Sequence, residues 1–205
     1  MARRILVIGG GVVGCSAAMH LAERGLGEVV LIERDRLGSG TTWHSAGNIT
    51  WRPGGTHDAT VLYNYETIDR LTAQTEQETG WLRTGRLYLA HQEKAIRALQ
   101  AFQDQAAARG IAARMIDGTE AARLHPLLDG KAITAAWHTP LSSRLNPADL
   151  TAAYAKAARR AGARILENRK VTGLTVRLFV RFGGGSCGTT RTGAVDSYRG
   201  PGGIR

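Results

Sequence analysis

Apolar residues recur along this chain with two different periods, and the switches between them mark out the elements. Arg4–Ile8 and Glu28–Glu33 are short apolar runs read as strands, and Val12–Arg24 between them is read as a helix. Val13, Ala17, Met19, His20 and Leu21 put small and apolar side chains on the helix face expected to pack on the sheet, and Gly25 and Gly27 stop it. Such a strand–helix–strand unit of about thirty residues has the length a parallel crossover needs. A long Gly/Ser/Thr loop follows. Thr56–Asp58 then offers an N-cap to a second helix, in which Val61, Tyr65, Ile68 and Leu71 recur at helical spacing and which Gly80 ends.

Beyond that point strands and helices mix. Arg86–Ala90 alternates as a strand, and Glu93–Arg109 is helical with Ile96, Leu99 and Phe102 on one face. Ala132–His138 is β-like, and Asn146-Pro147 opens a strong helix over Pro147–Ala161. Ala163–Leu166 and Lys170–Val176 close the pattern as strands. The order implies an α/β fold: a Rossmann-like nucleotide domain with a parallel sheet, interrupted by part of an α+β domain and then resumed. The expected boundaries are 1–80, 81–140 for the insertion, 141–177 for the resumed domain, and 178–205 for a tail. That tail has eight glycines, no helical periodicity and few core-forming residues after Leu178–Phe182, so it is expected to be disordered or poorly packed.

Composition changes little in this picture but removes several function classes. The chain has 205 residues, 43% of them hydrophobic and 21% charged, as in a soluble globular protein. Its longest apolar stretch, Ile5–Ile8, is far too short for a membrane span, so no membrane partner is expected. The first strand begins almost at Met1 and leaves no room for a targeting peptide, which makes the expected location cytoplasmic. Two cysteines, Cys15 and Cys187, are too few for a disulfide framework, and Cys15 reads as a small buried filler. Of the net charge of +10, four Arg and one Asp after residue 177 hold +3. The rest is scattered among acidic residues with no basic run, so no nucleic-acid partner is expected.

The candidate chemistry sits in the first forty-seven residues. Gly9, Gly11 and Gly14 have the G-x-G-x-x-G spacing between strand and helix. The first glycine permits a tight turn, the second lets backbone approach a pyrophosphate, and the third lets helix and strand pack closely. The phosphates would meet free N–H groups in the first helical turn, at Val12 and Val13. Glu33, nineteen residues after Gly14, ends the second strand where a carboxylate can accept from ribose hydroxyls. It disfavours a 2′-phosphate, although the neighbouring Arg34 softens that repulsion. These residues leave NAD and FAD both open.

Gly40-Thr41-Thr42-Trp43-His44-Ser45-Ala46-Gly47 narrows the choice. Here the chain resembles the glycine oxidase/D-amino-acid oxidase superfamily of FAD-dependent oxidoreductases, and more closely its sarcosine and dimethylglycine dehydrogenase branch. The resemblance implies that FAD is the cofactor, that His44 is a covalent anchor at the flavin 8α carbon, and that Gly40, Thr41, Thr42, Ala46 and Gly47 line the cofactor. Glu78-Thr79-Gly80 with Gly85–Ala90, Asn146–Leu150 and Val171–Leu174 match further passages in the correct order. In the last of these, the family's valine main chain contacts the adenine, which assigns that role to Val171. The implied activity is oxidation of the C–N bond of an N-methyl amino acid by hydride transfer to flavin. Its partners would be a small-molecule amine substrate and an external electron acceptor. A flavin amine or amino-acid oxidase with non-covalent FAD, an inactive nucleotide-binding fragment and a plain NAD dehydrogenase are the alternatives.

The sequence names no catalytic residue and no metal site. His20 reads as packing or surface, His91 and His125 as exposed, and His57 and His138 as able to approach a pocket. No histidine pair has a metal-ligand spacing with a carboxylate. Arg52, Tyr63 and Tyr65 read as surface or core before substrate contacts. Relatives continue past Val176, where this chain turns to glycine and arginine, so a truncation or frame shift near residue 177 is expected. Such a piece would expose sheet edges and half-formed apolar faces.

Overall fold

The computed structural model describes residues 3–54 and 58–174. The tail 178–205, the end of the expected strand at Val176, the cap residue Thr56 and His57 lie outside the described residues. The chain divides into two compact units, one formed by residues 1–44 and 154–205 and the other by residues 45–153. These divisions, at His44/Ser45 and Ala153/Tyr154, differ from the expected ones at residues 80 and 140. The second helix joins residues from both sides of the expected boundary at 140: its Tyr65 accepts a hydrogen bond from Ser143 Oγ at 3.3 Å and stacks edge-on against Trp81.

The first unit is built on β1 (Arg4–Ile8), α1 (Val12–Glu23) and β2 (Glu28–Ile32), joined later by β8 (Arg164–Leu166). The sheet order is β1-β2-β8 and both pairings are parallel, with Leu6 opposite Val30 and Val30 opposite Arg164. Central β2 is buried on both faces from Val29 to Ile32, as a parallel sheet's interior strand should be. At the first residues of the three strands, Glu28 pairs with Arg4 at 2.9 Å and with Arg164 at 3.6 Å.

One expectation for α1 fails. Its buried stripe is Cys15, Ala18 and Met19, so Met19 packs as expected, whereas Ala17, His20 and Leu21 are half-buried and Val13 is 79% exposed. Gly14 sets this rotation, because it is the residue that must face β1 without a side chain. Cys15 is the expected filler: it is fully buried, and burial pushes its thiol up to about 12.

The second unit holds β3 (Asn48–Ile49), α2 (Asp58–Thr75), β4 (Arg86–Ala90), α3 (Glu93–Ala107), β5 (Arg114–Ile116), α4 (Gly118–Leu124), β6 (Ala135–Thr139) and β7 (Ser143–Arg144). Strands β4, β6 and β5 form an antiparallel sheet in that order, and β3 pairs with β7. Trp137 on β6 packs with Trp51, Leu99 and Ala106, against which Ile96 and Phe102 of α3 also rest, so the periodicity of α3 is borne out. Helix α5 (Pro147–Arg160) starts where Asn146 Oδ1 accepts from Ala148 N–H at 2.9 Å and leads the chain into β8.

Several short elements depart from the reading. Ala132 closes a 3-10 turn and the strand begins only at Ala135. Helix α2 ends at Thr75, five residues before Gly80, and Glu76 follows it with φ +55°. Residues Lys170–Leu174 form no strand. β3, β5, α4 and β7 had no sequence signal strong enough to read, being two to seven residues long.

Candidate functional site

A cleft of about 470 Å³ opens at the carboxyl ends of the parallel strands, within the range of small-molecule sites. Ile8 and Gly9 enter it from the end of β1, Ile32 and Glu33 from β2, and Val171 from the segment after β8. Short parallel strands that stop together create this crevice, and the loops leaving them furnish its walls.

The glycines do different physical work. Gly9 turns the chain out of β1 with φ +105°, a conformation side chains rarely adopt, and donates its N–H to Ile32 O at 2.9 Å. A Cβ on Gly14 would fall onto the Gly9 carbonyl oxygen, so this glycine lets α1 sit against the strand end. Gly11 is the N-cap of α1 and has no side chain to satisfy the first turn. Gly10 was not singled out from the sequence, yet its missing side chain leaves space for Glu33 and Leu37.

The backbone donors there are already partly assigned. Gly10 N–H donates to Glu33 Oε2 at 2.6 Å, and Val12 N–H donates to Thr42 Oγ1 at 3.0 Å. The N–H groups of Gly11 and Val13 have no acceptor among the described residues. They lie at the positive end of α1 and are suited to an anion. Val12, expected to offer its N–H to phosphate, has it engaged by Thr42 instead.

Glu33 is more than an acceptor waiting for a ligand. Its Oε1 takes Asp35 N–H at 2.9 Å while Oε2 holds Gly10, so one carboxylate ties the two turns together. Each oxygen keeps lone-pair capacity for a hydroxyl donor. Arg34 pairs with Asp35 at 2.8 Å, and both line the cleft. Arg169 and Lys170 also line it, with no sequence signal beyond following the last strand.

Residues Thr41–His44 form a 3-10 turn within the expected loop. Gly40, Thr41 and Thr42 line the cleft, Thr42 being almost buried. His44 ends the turn, is exposed, and is not among the lining residues. Ala46 and Gly47, expected beside them, belong to the second unit, where Gly47 O accepts from Leu145 N–H at 2.9 Å.

The other candidates settle into structural positions. Tyr65 is core, Arg52 is exposed, and His20 bonds Ser16 O at 2.7 Å. His91 and His125 are exposed as expected. His138 does reach a concavity, a second cleft of about 330 Å³ in the second unit shared with Leu87, Leu89 and Leu128. Among the described residues no three His, Cys, Asp or Glu side chains come together as a metal site. No described helix is long and apolar enough to cross a membrane.

Known proteins sort these features. Residues 4–199 match the family model described as DAO, FAD dependent oxidoreductase, which runs beyond residue 177, where the resemblance was expected to stop. The chain is 32% identical over 199 residues to the mitochondrial sarcosine dehydrogenase of Mus musculus, covering 96% of this chain and 21% of that protein. It is 30% identical to the mitochondrial dimethylglycine dehydrogenase of Homo sapiens, over 84% of this chain and 20% of that one. The chain thus spans about a fifth of the length of these relatives. Among solved structures, an L-proline dehydrogenase from P. horikoshii superposes with a TM-score of 0.75 at 29% identity, covering 84% of this chain and 46% of that one. A glycine oxidase from Geobacillus kaustophilus, at 24% identity and a TM-score of 0.69 over 83% of this chain and 48% of that one, shares the fold. With the glycine turn, Glu33 and the Thr41–His44 turn gathered at one sheet end, and a family match over nearly the whole chain, this protein belongs to the DAO family of FAD-dependent oxidoreductases.

Proposed function

We propose that this chain holds the dinucleotide of an FAD-dependent enzyme that oxidises the C–N bond of N-methyl amino acids of the sarcosine or dimethylglycine kind. One observation carries the cofactor reading: Gly11, whose N–H has no acceptor among the described residues, lines one cleft with Glu33 and the threonines of the 41–44 turn, at the N-terminal end of α1. The Gly11 N–H and the α1 dipole take the phosphates, and Glu33 takes the ribose hydroxyls. The Val171 main chain lies against the adenine. Gly9 lines this ground without a side chain, and Gly14 lets α1 approach the strand end beside it. The names of the sarcosine and dimethylglycine dehydrogenases support the substrate class.

Bound FAD supplies the acceptor for a hydride from the carbon beside nitrogen, after which water hydrolyses the iminium product and an external acceptor takes the electrons. The residues here bind and orient. His44, two positions after Thr42 on the same turn, is the proposed covalent anchor through a ring nitrogen. Its exposure leaves the imidazole accessible.

The test is to load the full chain with FAD, precipitate it in acid and examine the pellet. Yellow colour in the wild-type pellet and none with His44→Ala supports the anchor. Flavin released from the wild type by acid leaves FAD binding intact and overturns the covalent link. Bleaching by sarcosine or dimethylglycine, with the relatives' remaining portion supplied if needed, tests the substrate class.

A further inference from the structure

Helix α1 is capped by a residue from another loop. Its own N-cap, Gly11, has no side-chain acceptor, and no acidic residue stands in the first turn. Thr42 Oγ1 takes over that function from thirty positions away, accepting Val12 N–H at 3.0 Å. The fit is close, since a Cβ on Gly11 would lie 3.0 Å from the same oxygen. Thr42 is only 9% exposed, while its neighbours Thr41, Trp43 and His44 are exposed. The 41–44 turn is therefore pinned to α1 through this hydroxyl, with Trp43 N–H bonding back to Gly40 O at 3.2 Å.

The bond also sorts the donors at the helix end. Glu33 occupies Gly10 N–H and Thr42 occupies Val12 N–H, while those of Gly11, Val13 and Gly14 have no acceptor among the described residues, and Gly11 lines the cleft. We infer that Thr42 is a positioning residue: by capping α1 from the neighbouring turn it takes Val12 N–H out of the set that can receive the dinucleotide phosphates and joins the turn bearing His44 to the phosphate site before any ligand arrives. This rests on the dinucleotide reading above. A turn already in place loses no conformational freedom on binding, so the cap acts on phosphate affinity, whereas the adenosine contacts at Glu33 and Val171 lie elsewhere in the cleft.

The experiment compares wild type, Thr42→Ser and Thr42→Val in the full chain. Amide exchange measured without nucleotide reports the cap directly: Val12 should exchange faster in Thr42→Val and stay protected in Thr42→Ser. Titration with ADP and with adenosine then reads the consequence. A cap of ordinary strength corresponds to about fivefold. Thr42→Val should therefore bind ADP about fivefold more weakly while adenosine is unchanged, and Thr42→Ser should restore the wild-type ratio. Equal losses for ADP and adenosine would make Thr42 a general structural residue and overturn the inference. So would unchanged ADP affinity in Thr42→Val, or no change in Val12 exchange. If the wild type itself binds neither nucleotide, the dinucleotide reading fails and the assigned phosphate role falls with it, while Val12 exchange still decides whether the cap exists.

Discussion

At the scale of single residues, glycine positions carry the sharpest expectations, because each replaces a contact by an absence. Gly14 is the case to test. Its Cβ would collide with the Gly9 carbonyl oxygen, and backbone cannot swing aside as a flexible side chain does. Gly14→Ala should cost about 1–3 kcal/mol, the range for overpacking, and abolish ADP binding. Gly40→Ala, whose Cβ meets nothing within 4 Å, should leave stability within about 0.5 kcal/mol. Urea midpoints of the two variants check this, and equal midpoints would contradict the assigned packing. Glu33 shows how far a residue could be read in advance. Its place at the end of a strand marked it as a hydroxyl acceptor, but its clasp on Gly10 and Asp35 needed the turn geometry.

Among the elements, strand β6 carries a titratable group in an unusual setting. His138 stands opposite Leu87 on one side and Arg114 on the other. Burial first, and the Arg114 charge second, hold its imidazole below the ordinary histidine value. The folded state then binds fewer protons than the unfolded chain in the window just below the unfolded value of about 6.5, so stability rises with pH across that window. The wild type should lose more stability between pH 7.5 and 5.5 than His138→Gln, as read from urea midpoints at the two values. Parallel losses in both proteins would refute this origin. The β6 strand was legible from its apolar run, whereas its late start at Ala135 was not. Asp129 Oδ1 accepts Lys131 N–H at 3.0 Å and winds the preceding residues into a 3-10 turn.

For the whole molecule, each compact unit has its own basis of stability. In the second, Trp137 is fully buried and meets the rings of Trp51, Tyr88 and Phe102 at centroid distances of 6.1, 5.6 and 5.7 Å. Its indole N–H donates to Gln103 Oε1 at 3.2 Å. Trp137→Ala should cost about 3–5 kcal/mol, enough to unfold a marginal unit, and calorimetry on the full chain would show the lost transition. The first unit depends on β2, and among the described residues β1 pairs only with β2. Leu6 and Ile8 of β1 are 46% and 50% exposed.

The sequence alone determined what local forces determine. Period and glycine punctuation located β1, α1, β2, β4, α3 and α5 closely, because apolar spacing and backbone freedom act within a few residues. It also identified Gly9, Gly11, Gly14 and Glu33 by spacing, and the 40–47 loop by resemblance. Tertiary structure decided the pairings between distant residues. It turned Val13 outward and brought Arg169 and Lys170 to the cleft by way of β8. It divided the chain at His44 and Tyr154, and set Thr42 on the N–H of Val12. A hydrogen bond across thirty residues leaves no period in the sequence, since its geometry exists only when the sheet has assembled both turns at one end.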